Sequence, residues 1–365
     1  MQLSPRAFDL SPSARRRLAL LSPESGGSFS LPLRLRPLVI RDEIKRLVQR
    51  RKGIWTESVI SEEDYGLRVR FRHLVRGSAA HPQGRAVSGE FDVTLLSPQA
   101  CVLASRLNAD EDKYGPHSLA QRAYPLGVRP FLRSDQLKRA IDDLGSTRSW
   151  DAVSVDVVGF DKETGSFRRD TKNQSLDEAM REMVEQGRQP HRVRLSFRDE
   201  EGTEQLRVAL DRNAGVALFS GSALVPVAGF VAPAIERCLR EDEMYAIPFA
   251  ESPRSQQALR VVFQEDAFPD IDATREVCNR LRRVRGFAVN VVHANPYLQA
   301  QVVDFLCGTT VTLLVLDTST VTLLPRSPDC SLTMRRVVAA LFREIGEGLV
   351  SVAGAEASSG ETALP

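Results

Sequence analysis

The chain has 365 residues, of which 42% are hydrophobic and 26% charged, and its formal net charge is +2. Such a composition belongs to a folded globular protein of two or three domains, not to a disordered or fibrous one. A near-neutral total gives no overall electrostatic pull toward nucleic acid or a membrane surface.

The charge is unevenly spread. Residues 1–76 hold 16 Lys/Arg and 8 Asp/Glu, a local +8, which leaves −6 for the remainder. Lys occurs only six times, so 43 of the 49 basic residues are Arg, a bias that reads as the mark of a GC-rich bacterial genome. The five cysteines are odd in number and widely spaced. Without a C-x-x-C pair they point to reduced, mostly buried thiols and a cytoplasmic protein. Apolar runs such as Leu224–Ala234 are too short to span a bilayer, so no membrane association is expected. Arg15-Arg16-Arg17 is followed by only four apolar residues, so a secretory signal is not expected.

In chain order, residues 1–30 are rich in Ser, Pro, Gly and Arg and predict a flexible N-terminal arm with one short helix near Ala14–Leu21. A basic α+β unit follows over 31–125. Its helix, Asp42–Arg51, puts Ile44, Leu47 and Val48 on one face. Strands are expected at Trp55–Ile60, Leu67–Leu74, Glu90–Leu96 and Cys101–Arg106, and the acidic stretch Ala109–Gly115 reads as a loop. The next unit, 126–250, holds the clearest pattern in the chain. From His191 to Gly221, three runs alternate apolar and polar residues between Asp-Glu-Glu-Gly and Asn-Ala-Gly turns, which predicts an antiparallel meander. A C-terminal α/β unit over 251–350 should contain a helix at Asp270–Arg285, a strand at Phe287–Val292 and a hairpin at Thr309–Leu324. It should end in a helix at Leu332–Gly346. Asn295 and Pro296 look like the cap and first turn of a further helix that Gly308 ends. The tail 351–365 should be disordered.

Arg129–Ile141 matches Arg36–Val48 at five of thirteen positions without a gap, and Trp150 and Trp55 follow at similar distances. An R-V-R strand comes later in each segment, at Arg68-Val69-Arg70 and Arg192-Val193-Arg194. The expected fold class is therefore α+β: antiparallel meanders backed by helices, in two or three weakly similar repeated units.

Chemistry-bearing motifs are sparse. Asp156 lies on an expected strand, and Asp170-x-Lys172 lies on the next. In pattern this resembles the PD-(D/E)xK nuclease superfamily. The resemblance implies a Mg²⁺ ion held by Asp156 and Asp170, with Lys172 orienting the nucleophile. Leu313–Leu323, with Asp317-Thr318-Ser319 at its turn, is locally similar to the phosphate-binding hairpin of actin-like ATPases, but only 42 residues follow it. The five histidines have no metal-ligand spacing, and no metal or cofactor is expected outside the nuclease reading. The strongest binding signal is basic. Lys45, Arg46, Arg50 and Arg51 crowd one helix, Arg68, Arg70 and Arg72 alternate on one strand, and Arg192 and Arg194 repeat that alternation. These residues suit a phosphate backbone. The leading expectation is a non-enzymatic binding or scaffold protein of a multi-subunit assembly, with a protein partner and nucleic-acid contact through the Arg-rich strands. The Mg²⁺-dependent nuclease is the alternative.

Overall fold

The computed structural model describes residues 10–23, 31–51, 55–76, 84–146, 148, 150–161, 166–171, 175–186, 188–247, 257–263, 266–295 and 297–353. Two compact units divide the chain, 1–238 and 239–365.

In the first unit, α1 (Pro12–Leu21) precedes β1 (Leu33–Ile40), α2 (Ile44–Arg51), β2 (Glu57–Glu63), β3 (Gly66–Val75), β4 (Arg85–Ser97) and β5 (Ala100–Ser105). Then come α3 (Ala109–Tyr114), α4 (Pro116–Gln121), β6 (Gly127–Val128), α5 (Ser134–Ser146), β7 (Asp151–Asp161), β8 (Ser166–Thr171) and α6 (Leu176–Glu185). The expected meander is β9 (Arg188–Arg198), β10 (Glu204–Asp211) and β11 (Val216–Ser220). A helical run leads out of the unit: α7 (Leu224–Pro226) passes through a π turn, Val227–Val231, into α8 (Ala232–Tyr245), within which the boundary at 238 falls.

All these strands form one sheet in the order β2-β3-β4-β5-β1-β11-β10-β9-β7-β8, with β6 paired to β1. The segments 31–125 and 126–250 thus build a single sheet, joined where β1 meets β5 on one side and β11 on the other. One core packs Leu38 and Ile40 of β1 with Leu47 and Val48 of α2, and with Phe71, Phe91 and Leu103. Trp55 stacks on Phe71 at 5.4 Å between ring centres. In the other half Trp150 lies 6.4 Å from Phe197, whose ring meets α5 at Gly145. Leu195, Leu206, Val208 and Leu210 are fully buried beside it.

Side chains alternate along a strand, and directly paired residues share a face. Arg34 and Arg36 therefore share the α2 face with Leu38 and Ile40. Through the pairs Arg34–Ala217, Ala217–Ala209 and Ala209–Arg194, that face continues onto β11, β10 and β9. Phe197, which packs on α5, has the opposite parity to Arg194. Hence α2 and α5 lie on opposite faces of the sheet, and the α2 face is exposed at Arg192 and Arg194.

The second unit contains β12 (Ala258–Phe263), α9 (Ile271–Arg282), β13 (Phe287–His293), β14 (Leu298–Asp304), β15 (Thr309–Val315), β16 (Thr320–Pro325), α10 (Ser331–Glu344) and β17 (Gly348–Ala353). Its sheet runs β13-β14-β15-β16-β12-β17. The order β13-β14-β15-β16-β12 is that of β2-β3-β4-β5-β1: a strand, a helix, then a four-stranded meander whose last strand returns beside the first. Both sheets are antiparallel and the fold is α+β.

Four local expectations differ from the structure. Residues 297–308 are not a helix but contain β14, and Pro296 lies outside the described residues. There Leu298, Ala300 and Val302 are buried and alternate with Gln299, Gln301 and Val303, so period two prevails over the Asn-Pro capping signal. Ala109–Tyr114 is a helix because Asn108 and Glu111 form a reciprocal capping box and the acidic first turn suits the helix N-terminus. The arm is ordered over 10–23, where Ser11 caps α1 and Ala14 and Leu18 are wholly buried. The tail begins with a strand, β17, paired along β12.

No described helix is long and apolar enough to cross a membrane. All five cysteines are free thiols, and Cys101, Cys238, Cys278 and Cys330 are buried.

Candidate functional site

The arginines of β3 are matched by acids that the sheet register places beside them. Arg68 stands opposite Asp92, Arg70 opposite Glu90 and Arg72 opposite Glu57. Arg70 contacts Glu90 at 2.5 Å and Arg72 contacts Glu57 at 3.3 Å. Arg68 lies 3.3 Å from Asp92 and 3.4 Å from Glu90, and donates to the Tyr65 hydroxyl at 3.0 Å. Helix α1 adds Arg17, whose guanidinium also bonds Asp92, at 2.5 Å. Burial, then the hydrogen bond to Asp92, pushes the Tyr65 phenol up to about 12. On α2, Lys45 pairs with Glu62 at 2.7 Å and Arg46 with Asp42 at 2.6 Å. Arg50 and Arg51 belong to α2, but their side chains lie outside the described residues.

The second Arg pair sits differently. Arg192 and Arg194 are exposed, and neither side chain makes an ion pair or hydrogen bond among the described residues. Arg194 lies over the Phe219 ring at 4.6 Å. A stacked guanidinium keeps its N–H edges free for an anion.

Next to this pair, chain segments far apart in sequence bring further arginines together. Arg34 and Arg36 come from β1, and Arg129 from the segment after β6. Arg36 bonds Asp112 of α3, and the two side chains are 11% and 8% exposed. The Nε atoms of Arg34 and Arg36 are buried and without a hydrogen-bond partner. Burial pulls Arg34 below the ordinary arginine value; Asp112 opposes this, while Arg36 and Arg192 add to it. Arg129 is lowered by burial too, against the pull of Asp211. His117 and His191 are held below the ordinary imidazole value, first by burial and then by the surrounding arginines, with Asp211 opposing. For Asp211, burial raises the carboxyl, yet Arg129, His191 and Arg192 bring it below the usual carboxylate range. Arg212 is spent elsewhere, on Leu132 O and Gln189 Oε1 at 3.0 Å each and on the Phe131 ring.

The acid-x-lysine motif is arranged as follows. Asp156, 8% exposed, pairs in register with Thr171 of β8 and Arg194 of β9. The residue opposite Asp170 is Val157. The ladder positions of Asp156 and Asp170 are therefore one step out of phase, and the register does not bring the two acids together. Lys172 lies outside the described residues. At the other sequence motif, Asp317 accepts the backbone N–H groups of Ser319 and Thr320 at 2.9 and 2.6 Å. Its carboxylate uses the turn donors that a phosphate would need. Among the described residues, no group of three or more His, Cys, Asp or Glu side chains is placed to hold a metal ion.

No protein-family model matches the chain, and no curated protein matches it.

The sequence pointed to Arg192 and Arg194 but missed Arg34, Arg36 and Arg129. The signal available was the L-R-L-R alternation of 33–36, in which two charges take the face that Leu38 and Ile40 then make apolar.

Proposed function

We propose that the chain is a non-enzymatic, cytoplasmic binding protein of a larger assembly, and that it contacts the phosphate backbone of nucleic acid through the exposed face of β9. One observation carries this reading. Among the described residues the exposed Arg192 and Arg194 make no ion pair, although the register sets Asp211 and Asp156 opposite them, whereas Arg68, Arg70 and Arg72 each contact an acid. A guanidinium already neutralised must break an ion pair before it can take a phosphate, and an unpaired one need not. Exposed Phe305, Leu316 and Leu349, at 70%, 62% and 63%, leave apolar area on the second unit that suits a protein partner. No observation favours the nuclease, since the register separates Asp156 from Asp170.

The test is binding of labelled single- and double-stranded DNA and RNA across a salt series, with and without Mg²⁺. Affinity that falls with salt on intact substrate is expected. Mg²⁺-dependent cleavage lost in Asp170→Ala would replace this reading with the nuclease, and absence of binding at low salt would remove nucleic acid as the ligand.

A further inference from the structure

The face shared by β1, β11, β10 and β9 forms a trough. Its two rows are Arg34, Ala217, Ala209 and Arg194, and beside them Asp211 opposite Arg192, with Arg36 next along β1. The floor between the Arg banks is alanine, over three strand spacings of about 4.8 Å, roughly 14 Å from β1 to β9. Long guanidinium arms can reach a common point over such a floor. Arg192 acts on the charge of Arg34 across it, and Asp211 on that of Arg129 beside it.

Charge is not balanced there. Arg34, Arg36, Arg129, Arg192 and Arg194 give five positive charges against three negative ones, Asp112, Asp211 and the Asp156 that stands opposite Arg194, a surplus of two. Arg36 and Asp112 already pair, and Asp211 turns back on its own hairpin, accepting N–H groups from Asn213 and Gly215 at 2.8 and 3.0 Å. Among the described residues, Arg34, Arg129 and Arg192 make no ion pair, and the buried Arg34 Nε makes no hydrogen bond. A buried N–H without a partner, such as the Arg34 Nε, is costly unless an acceptor completes it.

We infer that this trough binds a compact dianion of the phosphate type, seated over Ala217 and Ala209 and held by Arg34, Arg129 and Arg192. A terminal phosphate monoester carries that charge, and an internal phosphodiester carries half of it. The site shares Arg192 with the proposed backbone-binding face, but it recognises a phosphate end and does not require a polymer. Free inorganic phosphate and the phosphate of a nucleotide offer the same chemistry.

Calorimetric titration separates the sources. The full-length protein is titrated with inorganic phosphate, a nucleoside 5′-monophosphate and the corresponding nucleoside, and with one short oligonucleotide carrying or lacking a 5′-phosphate. Saturable binding of the monophosphate but not of the nucleoside is expected, weakened tenfold or more in Arg34→Gln and unchanged in Arg68→Gln. Saturation by inorganic phosphate as well would make the oxyanion itself the ligand. Arg129→Gln serves as a second variant should Arg34→Gln not fold, with circular dichroism as the check. If neither phosphate compound binds, or if binding survives both Arg34→Gln and Arg129→Gln, the inference is overturned. Monophosphate binding without polymer binding would uphold the trough and remove the backbone reading. Oligonucleotide binding indifferent to the 5′-phosphate, without monophosphate binding, would do the reverse.

Discussion

Arg192 stands directly opposite Asp211 in the β9–β10 ladder, yet the two make no ion pair. The carboxylate is turned toward the β10–β11 hairpin. It lies so close over Gly215 that a Cβ added there would meet Asp211 Oδ2 at 2.6 Å. Arg192 is left exposed and unpaired because the acid opposite it is committed to a turn.

Asp211→Asn tests that commitment. The amide oxygen can still accept the Asn213 and Gly215 N–H groups, so the hairpin should persist. The surplus in the trough rises from two to three. Monophosphate affinity should increase several-fold and thermal stability should fall, read by calorimetry and by a melting curve. Unchanged affinity would mean that Asp211 does not set the charge of the trough.

The docking of α1 predicts a second effect. Asp92, 3% exposed, receives Arg17 from α1, Arg68 from β3 and the Tyr65 hydroxyl at 2.7 Å. Asp92→Ala strands two arginines that keep partial access to water. The cost should be about 2–3 kcal/mol, at or below the low end for a buried pair. Limited proteolysis should then cut near residues 10–23 faster than in the wild type. Equal cleavage would show that α1 is held by Ala14 and Leu18 alone.

Acid should destabilise the first unit through His117 and His191. Both are depressed in the folded state, chiefly by burial and then by neighbouring arginines. Below the ordinary value of 6.5, the unfolded chain takes up protons that the folded protein refuses. Stability is therefore greatest above that pH and falls as pH drops through it. Urea midpoints measured from pH 7.5 to 5 should decline, and the decline should be shallower in a His117→Gln, His191→Gln double variant. A flat or rising midpoint in the wild type would contradict this.

Burial pushes the Cys101 thiol up to about 12 and the Cys278 thiol up to about 11. The thiolate is the reacting species. Neither residue should be modified by a thiol reagent at pH 8 until the chain is unfolded in denaturant, as mass mapping would show. Modification of Cys101 in native buffer would mean that the β1–β5 core opens readily.

The meander of 188–220 was legible because one buried face makes period two unambiguous: Val193, Leu195 and Phe197 each point into the core. Helix α9 was legible from its Asp270 cap and from Gly286, which takes a left-handed φ of 85° just beyond it. β14 was not, because a local capping signal stood beside a short alternating run. The site was only half legible, since charge pairing depends on which strand lies across. Arg70 finds Glu90 because β4 pairs with β3, and nothing near Arg192 announces that Asp211 will be turned away. Arg34 and Arg129 come together only when β1 and the segment after β6 meet.

The central claim is that the arginines of β9 are available and those of β3 are not. The most direct measurement compares the salt dependence of nucleic-acid binding for the wild type, the Arg192→Gln, Arg194→Gln pair and the Arg68→Gln, Arg70→Gln pair. Each phosphate contact contributes about 0.9 to the slope of log affinity against log salt on duplex DNA. The β9 pair should lower that slope by roughly two contacts' worth, about 1.8, and the β3 pair should leave it nearly unchanged. Equal losses from the two pairs, or loss from the β3 pair alone, would contradict the account.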